Sequence, residues 1–139
     1  MSYLDILRQQ LPIDEGERSK PYRDSVGKLT IGIGRNLDDV GLHDDEIAYL
    51  LENDLKVADR AARRLVPTFE TLSEERKAVV VNMTFNMGER TFGTFTATLH
   101  AIQMGDFDKA ADAMLASKWA QQVGTRARRL ADLMRGESA

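Results

Sequence analysis

The fold turns on one stretch, Lys20-Pro21-Tyr22-Arg23-Asp24-Ser25-Val26-Gly27-Lys28-Leu29-Thr30-Ile31-Gly32-Ile33-Gly34-Arg35. Pro21, Gly27, Gly32 and Gly34 break any helix here. Tyr22, Val26, Leu29, Thr30, Ile31 and Ile33 favour strands, and Ser25–Gly27 supplies a turn. The stretch predicts a small antiparallel hairpin with a further extended piece.

The pattern changes on both sides. Upstream, Tyr3, Leu4, Leu7 and Leu11 recur at helical spacing, predicting a short helix over 3–11. Pro12 limits that helix, because proline disfavours helical geometry in the residue before it. Ile13 to Gly16 then reads as a turn carrying Asp14 and Glu15. Downstream, a loop through Asp38, Asp39 and Gly41 leads to a long helix from about Asp44 to Val66. Ile47, Leu50, Leu51, Leu55, Ala58, Ala62 and Leu65 form its expected buried stripe. Its first turn holds Asp44, Asp45 and Glu46 and its last holds Arg63 and Arg64, as the helix dipole favours. Pro67 ends it. Ser73 caps a helix over 74–87 that is apolar nearly all round and expected to be central. Further helices are expected over 96–104, 106–118 and 125–135, with Gly105 and Gly136 as stops. The class is α+β and mostly α-helical.

The chain has 139 residues, 42% hydrophobic and 29% charged, enough for one domain with its own core. It has no cysteine, which excludes disulfides, thiolate nucleophiles and thiolate metal sites. The formal charge of −3 argues against a dedicated nucleic-acid binder. No apolar run approaches the ~20 residues that span a bilayer, so no stable membrane insertion is expected. Met1 to Glu15 carries Asp5, Arg8, Asp14 and Glu15 and does not read as a secretion signal. The expectation is a protein left in the cytoplasm unless something else releases it. Charge is unevenly spread: Asp38–Asp59 holds eight acids against Lys56, and Lys118–Arg135 holds five bases against Asp132.

Glu15 and Asp24 are the best candidates for chemistry. Both lie in or beside turns, where two carboxylates can face a cleft. Glycoside hydrolysis needs such a pair, one protonated to serve the leaving oxygen and one ionised. Spacing alone leaves these as ordinary surface acids too. Gly32-Ile33-Gly34 fails as a dinucleotide fingerprint, since Leu37 occupies the third glycine position. His43 and His100 lack ligand spacing for zinc. Asp38, Asp39, Asp44, Asp45 and Glu46 lack the calcium-loop pattern. No metal and no cofactor are expected. Asn82 and Asn86, four apart on an apolar helix, either bond a neighbouring turn or line a polar groove. Trp119 reads as a core anchor in preference to an exposed stacking platform.

Asp14-Glu15-Gly16, Tyr22-Arg23-Asp24, Gly27 and Thr30-Ile31-Gly32-Ile33-Gly34 together resemble the phage lysozymes of glycoside hydrolase family 24, T-even type. That family spaces Glu, eight residues, Asp, five residues, Thr, as Glu15, Asp24 and Thr30 do here. The resemblance continues at Asn82–Glu89, Gly93–Thr96, Ser117-Lys118-Trp119 and Arg126–Arg129, so it spans nearly the whole chain. It implies a lysozyme-like fold with a helical C-terminal lobe. The small β-containing lobe would be about 13–55, and 1–12 with 56–139 the helical lobe.

The resemblance further implies a muramidase cutting peptidoglycan between N-acetylmuramic acid and N-acetylglucosamine, with inversion. Glu15 would be the acid, Asp24 the water-activating carboxylate and Thr30 its helper. Gly34, Phe85, Asn86, Met87 and Trp119 would lie in or beside the sugar cleft. Arg126 would pair with Glu15 and Arg129 with Asp14. Arg35 stands where the T-even enzymes have histidine and is expected to pair with Asp54. The region after Arg35 is shorter than in those enzymes, which trims the β-lobe. The expected partner is the peptidoglycan glycan strand, met by a monomer that waits in the host cytoplasm for a separate pore-forming protein. A virion-borne lysozyme would use the same chemistry. A non-catalytic peptidoglycan-binding module and a lytic transglycosylase are the alternatives.

Overall fold

The computed structural model describes residues 1–137. Its order is α1 (Tyr3–Glu15), β1 (Arg18–Arg23), β2 (Leu29–Gly32), β3 (Arg35–Asn36), α2 (Asp44–Leu65), a 3₁₀ turn (Phe69–Thr71), α3 (Glu74–Phe92), α4 (Thr96–Gln103), α5 (Phe107–Leu115), α6 (Lys118–Val123) and α7 (Thr125–Arg135). The α+β class, helical apart from one small antiparallel sheet, is as the sequence predicts. The chain divides into two compact units, Met1–Tyr49 and Leu50–Ala139.

In the first unit, α1 opens on a capping box. Ser2 Oγ accepts from the Asp5 N–H, and the Asp5 carboxylate accepts from the Ser2 N–H. Pro12 lies inside this helix and does not end it at residue 11. Proline removes one donor, but Ile13, Asp14 and Glu15 keep theirs. The stop is Gly16, at φ +80°, a conformation other residues adopt at a cost. Glu15 is therefore the last helical residue. No residue of α1 is buried.

The sheet has the order β1-β2-β3, antiparallel throughout. Tyr22 pairs with Thr30, Arg23 with Leu29, Thr30 with Asn36 and Ile31 with Arg35. Pro21 sits inside β1, and the register shifts between Arg18 and Tyr22. An edge strand with a bulge is where a strand tolerates the missing proline N–H. β1 therefore starts two residues before the stretch that predicted it.

The second unit holds the core. Val66, Val79, Val80, Met83, Phe92, Ile102, Met114 and Met134 are fully buried, with Phe69, Trp119 and Leu130 around them. α7 packs on α3, α5 and α6, and α5 on α4. Arg76 ties α3 to the end of α7. Its Nε donates to the Met134 carbonyl at 2.7 Å and its Nη2 to that of Arg135 at 3.0 Å. The same guanidinium stacks on Phe107 at 3.7 Å.

Three expectations change here. The expected stripe of α2 is buried only at Ala58 and Ala62, with Ala61 beside them, while Ile47, Leu50, Leu51 and Leu55 are exposed. Helical spacing finds an apolar face but not what covers it. α3 breaks at Gly88, φ +84°, and then adds one more turn to Phe92. The helix expected over 106–118 ends at Leu115, and a further helix, α6, follows because Ser117 Oγ caps a new start by accepting from the Ala120 N–H.

Candidate active site

Glu15 is exposed at the C-terminal end of α1, immediately before the Gly16 turn. Its carboxylate lies against the backbone of Gly34, which has φ +71°. A Cβ on Gly34 would stand 2.9 Å from Glu15 Oε2 and 3.2 Å from its Cδ. Only glycine allows both this conformation and this approach.

Asp24 opens the β1–β2 turn. Its Oδ1 accepts the N–H of Val26 at 3.0 Å and of Lys28 at 2.8 Å. Its own N–H donates to the Lys28 carbonyl at 2.9 Å, and its carbonyl accepts the Gly27 N–H at 3.0 Å. Such a side chain closing its own turn is the usual behaviour of aspartate at this place. One carboxylate oxygen is thereby fixed, and among the described residues Oδ2 accepts no hydrogen bond.

Thr30 is buried, 3% exposed, on β2. Its hydroxyl donates to the Lys28 carbonyl at 2.9 Å. The hydroxyl proton is thus committed, and the lone pairs remain as acceptors. Lys28 was not singled out by sequence, yet its backbone holds Asp24 and Thr30 together. No residue-type signal marks a role played by a main chain.

A depression of about 730 Å³ lies on the same unit, lined in part by Ile31, Ile33, Gly34, Val40 and Leu42. Arg35 and Glu46 close part of it, with Arg35 Nη1 donating to Glu46 Oε1 at 2.7 Å and to the Gly41 carbonyl at 3.1 Å. The partner of Arg35 is therefore Glu46, two turns earlier on α2 than the expected Asp54. The short 37–43 connection delivers Arg35 to the first turn of α2, out of reach of its middle. Arg35 above all, with the His43 N–H, lowers the Glu46 carboxyl to about 2.

Apart from Asp14, the remaining site candidates belong to the second unit. Asn86 Oδ1 accepts the Trp119 indole N–H at 2.7 Å, and Trp119 is 6% exposed. Trp119 is thus a core anchor whose one polar atom is satisfied. Asn82 Oδ1 accepts from Arg126 Nε at 3.1 Å and Nη2 at 2.7 Å. Both asparagines on α3 therefore make structural bonds, one to α6 and one to α7. Phe85 is 43% exposed and shares a groove of about 320 Å³ with Leu51, Leu55, Ala78, Val81, Asn82 and Arg126. Met87 packs half-buried on the core. Asp14 and Arg129 are exposed.

The protein named probable T4-type lysozyme 1 of Dictyostelium discoideum is 29% identical, covering 89% of this chain and 90% of its own length. The SAR-endolysin of Escherichia phage Mu is 31% identical over 88% of this chain and 70% of its own. The pre-baseplate central spike protein Gp5 of Enterobacteria phage T4 is 29% identical over 94% of this chain, which corresponds to 27% of that protein. The profile of the phage lysozyme family matches residues 13–136, from the end of α1 through α7. With that match running through both units, the chain belongs to the phage lysozyme family and is a glycoside hydrolase.

Proposed function

We propose that the chain is a muramidase that hydrolyses the β-1,4 bond between N-acetylmuramic acid and N-acetylglucosamine in peptidoglycan, with inversion. The observation that carries the reading is the double attachment to Lys28. Its N–H holds Asp24 Oδ1, and its carbonyl takes the Thr30 hydroxyl proton. An unpaired carboxylate oxygen and a hydroxyl lone pair are left as two acceptors for one water. Asp24 takes the water proton as the oxygen attacks the anomeric carbon, and Thr30 steadies the second hydrogen. Glu15 donates its proton to the leaving glycosidic oxygen, and the pair of carboxyls supplies the two roles that glycoside hydrolysis divides. Gly34 leaves the Glu15 carboxylate its room. On the second unit, Phe85 offers an apolar ring face of the kind that stacks on sugars, and Trp119 orients Asn86.

Digestion of purified peptidoglycan tests the reading. New reducing ends at muramic acid are expected. Anhydro-muramic ends would mark a transglycosylase, and absence of cleavage a binding module. Glu15→Gln and Asp24→Asn are each expected to abolish turnover while leaving the melting temperature near that of the wild type. The first product anomer by proton NMR is expected to be α; an initial β product would overturn inversion. The reading includes accumulation in the host cytoplasm as a monomer and release by a separate pore-forming protein. Cells expressing the chain alone are expected to stay intact and to lyse when a pore-former is added.

A further inference from the structure

We infer that Asp38 is a positioning residue for the catalytic turn, an inference that rests on the roles proposed for Asp24 and Thr30. Leu29 faces Leu37 at the edge of the β2–β3 ladder, and the Leu37 N–H donates to the Leu29 carbonyl at 2.7 Å. In an antiparallel ladder the Leu29 N–H would return to the Leu37 carbonyl. The chain has already turned away there, and Asp38 Oδ2 takes that N–H instead, at 2.8 Å. A carboxylate thus replaces the missing rung. The next amide back, that of Lys28, points to the opposite edge and is held by Asp24 Oδ1. Two consecutive amides, the first of β2 and the one just before it, are therefore gripped by two aspartates from opposite sides.

The turn at 36–41 does not itself need Asp38. Asn36 builds it: its side-chain oxygen accepts the Asp39 N–H at 2.9 Å, and its carbonyl accepts those of Val40 and Gly41. Asn36 Nδ2 donates to Asp39 Oδ2 at 3.0 Å, closing the turn on itself. The Asp38 side chain instead reaches back nine residues to Leu29. Its charge is met by Arg23 at 3.6 Å, the cross-strand neighbour of Leu29. Without Asp38, the Leu29 N–H loses its protein acceptor to solvent and β2 is free to shift at its first residue. Lys28 would move with it and carry both Asp24 and Thr30.

The test compares Asp38→Ala with Asp38→Asn, whose amide oxygen still accepts the N–H. On peptidoglycan, Asp38→Ala is expected to lower kcat roughly tenfold with KM little changed, as small misplacements of catalytic groups do. Asp38→Asn is expected to restore kcat, and hydrogen exchange at the Leu29 amide to be fast in the alanine variant and slow in the asparagine variant. Wild-type kcat in Asp38→Ala, or equal impairment in both variants, overturns the inference. Should the alanine variant not fold, the asparagine variant decides, since a tenfold loss with Leu29 still protected refutes positioning through this bond. Asp24→Asn, run alongside, separates the two levels: activity in that variant overturns the catalytic assignment itself, whatever Asp38 does.

Discussion

Gly34→Ala puts the placement of Glu15 under direct test. The φ of +71° costs an alanine about 1–2 kcal/mol in the left-handed region. For a chain of this size that lowers the melting temperature by roughly 2–8 °C. The new methyl adds a second effect. It would stand 2.9 Å from Glu15 Oε2, where ordinary contact begins at 3.4 Å. The carboxylate must therefore retreat by about half an ångström or more, and catalytic misplacement on the scale of ~1 Å can cost a hundredfold. A fall in kcat of roughly tenfold to a hundredfold is expected, well beyond what the stability change explains. Gly105→Ala is the control. It has φ +75° with nothing within 4 Å of the added Cβ, so it carries the strain without the contact. Thermal melts and initial rates on peptidoglycan are measured for both. Equal melting losses with activity lost only in Gly34→Ala support the reasoning. Wild-type kcat in Gly34→Ala refutes it, since Glu15 would then either not lie there or not act.

Acid titration checks the Arg35–Glu46 pair. The Glu46 carboxyl is lowered to about 2 from 4.5, so its stabilisation is present above pH 4.5 and is lost as pH falls toward 2. Glu46→Gln is expected to melt below the wild type at neutral pH, with the gap closing across that window; a constant gap would show that Glu46 gains nothing from its charge. Asn86→Ala leaves the buried Trp119 N–H without its acceptor and is expected to cost about 1–3 kcal/mol in urea unfolding. No change in the urea midpoint would mean that the indole finds another partner. Met83→Ala empties a fully buried site in α3 and is expected to cost about 2–5 kcal/mol, read as a lower midpoint at unchanged slope.

Much of the fold is legible in residue spacing. The glycine pattern of 20–35 announces extended structure, and the apolar repeats announce the helices, because these signals act within a few residues. Boundaries are less legible where two local signals compete. Pro12 argues for ending α1, yet Gly16 ends it, because a missing donor weakens a helix while a left-handed residue stops it. Ser117 outweighs the helical periodicity around it for a similar reason, offering the amides that follow a side-chain acceptor. Glu15, Asp24 and Thr30 are legible as a spaced motif, with the resemblance raising them above ordinary surface acids.

The sequence by itself determined most element types and the turn at Asp24, and it singled out the acids offered for catalysis. These depend on dihedral preference and hydrophobic period, which neighbouring residues set. Only the tertiary structure decided which donor meets which acceptor. It gave Arg35 to Glu46, Arg126 to Asn82, the Trp119 indole to Asn86 and the Leu29 amide to Asp38. Each of these bonds closes over a loop or between helices far apart in the chain. The choice follows from where the backbone returns, and no residue carries that information in its own type.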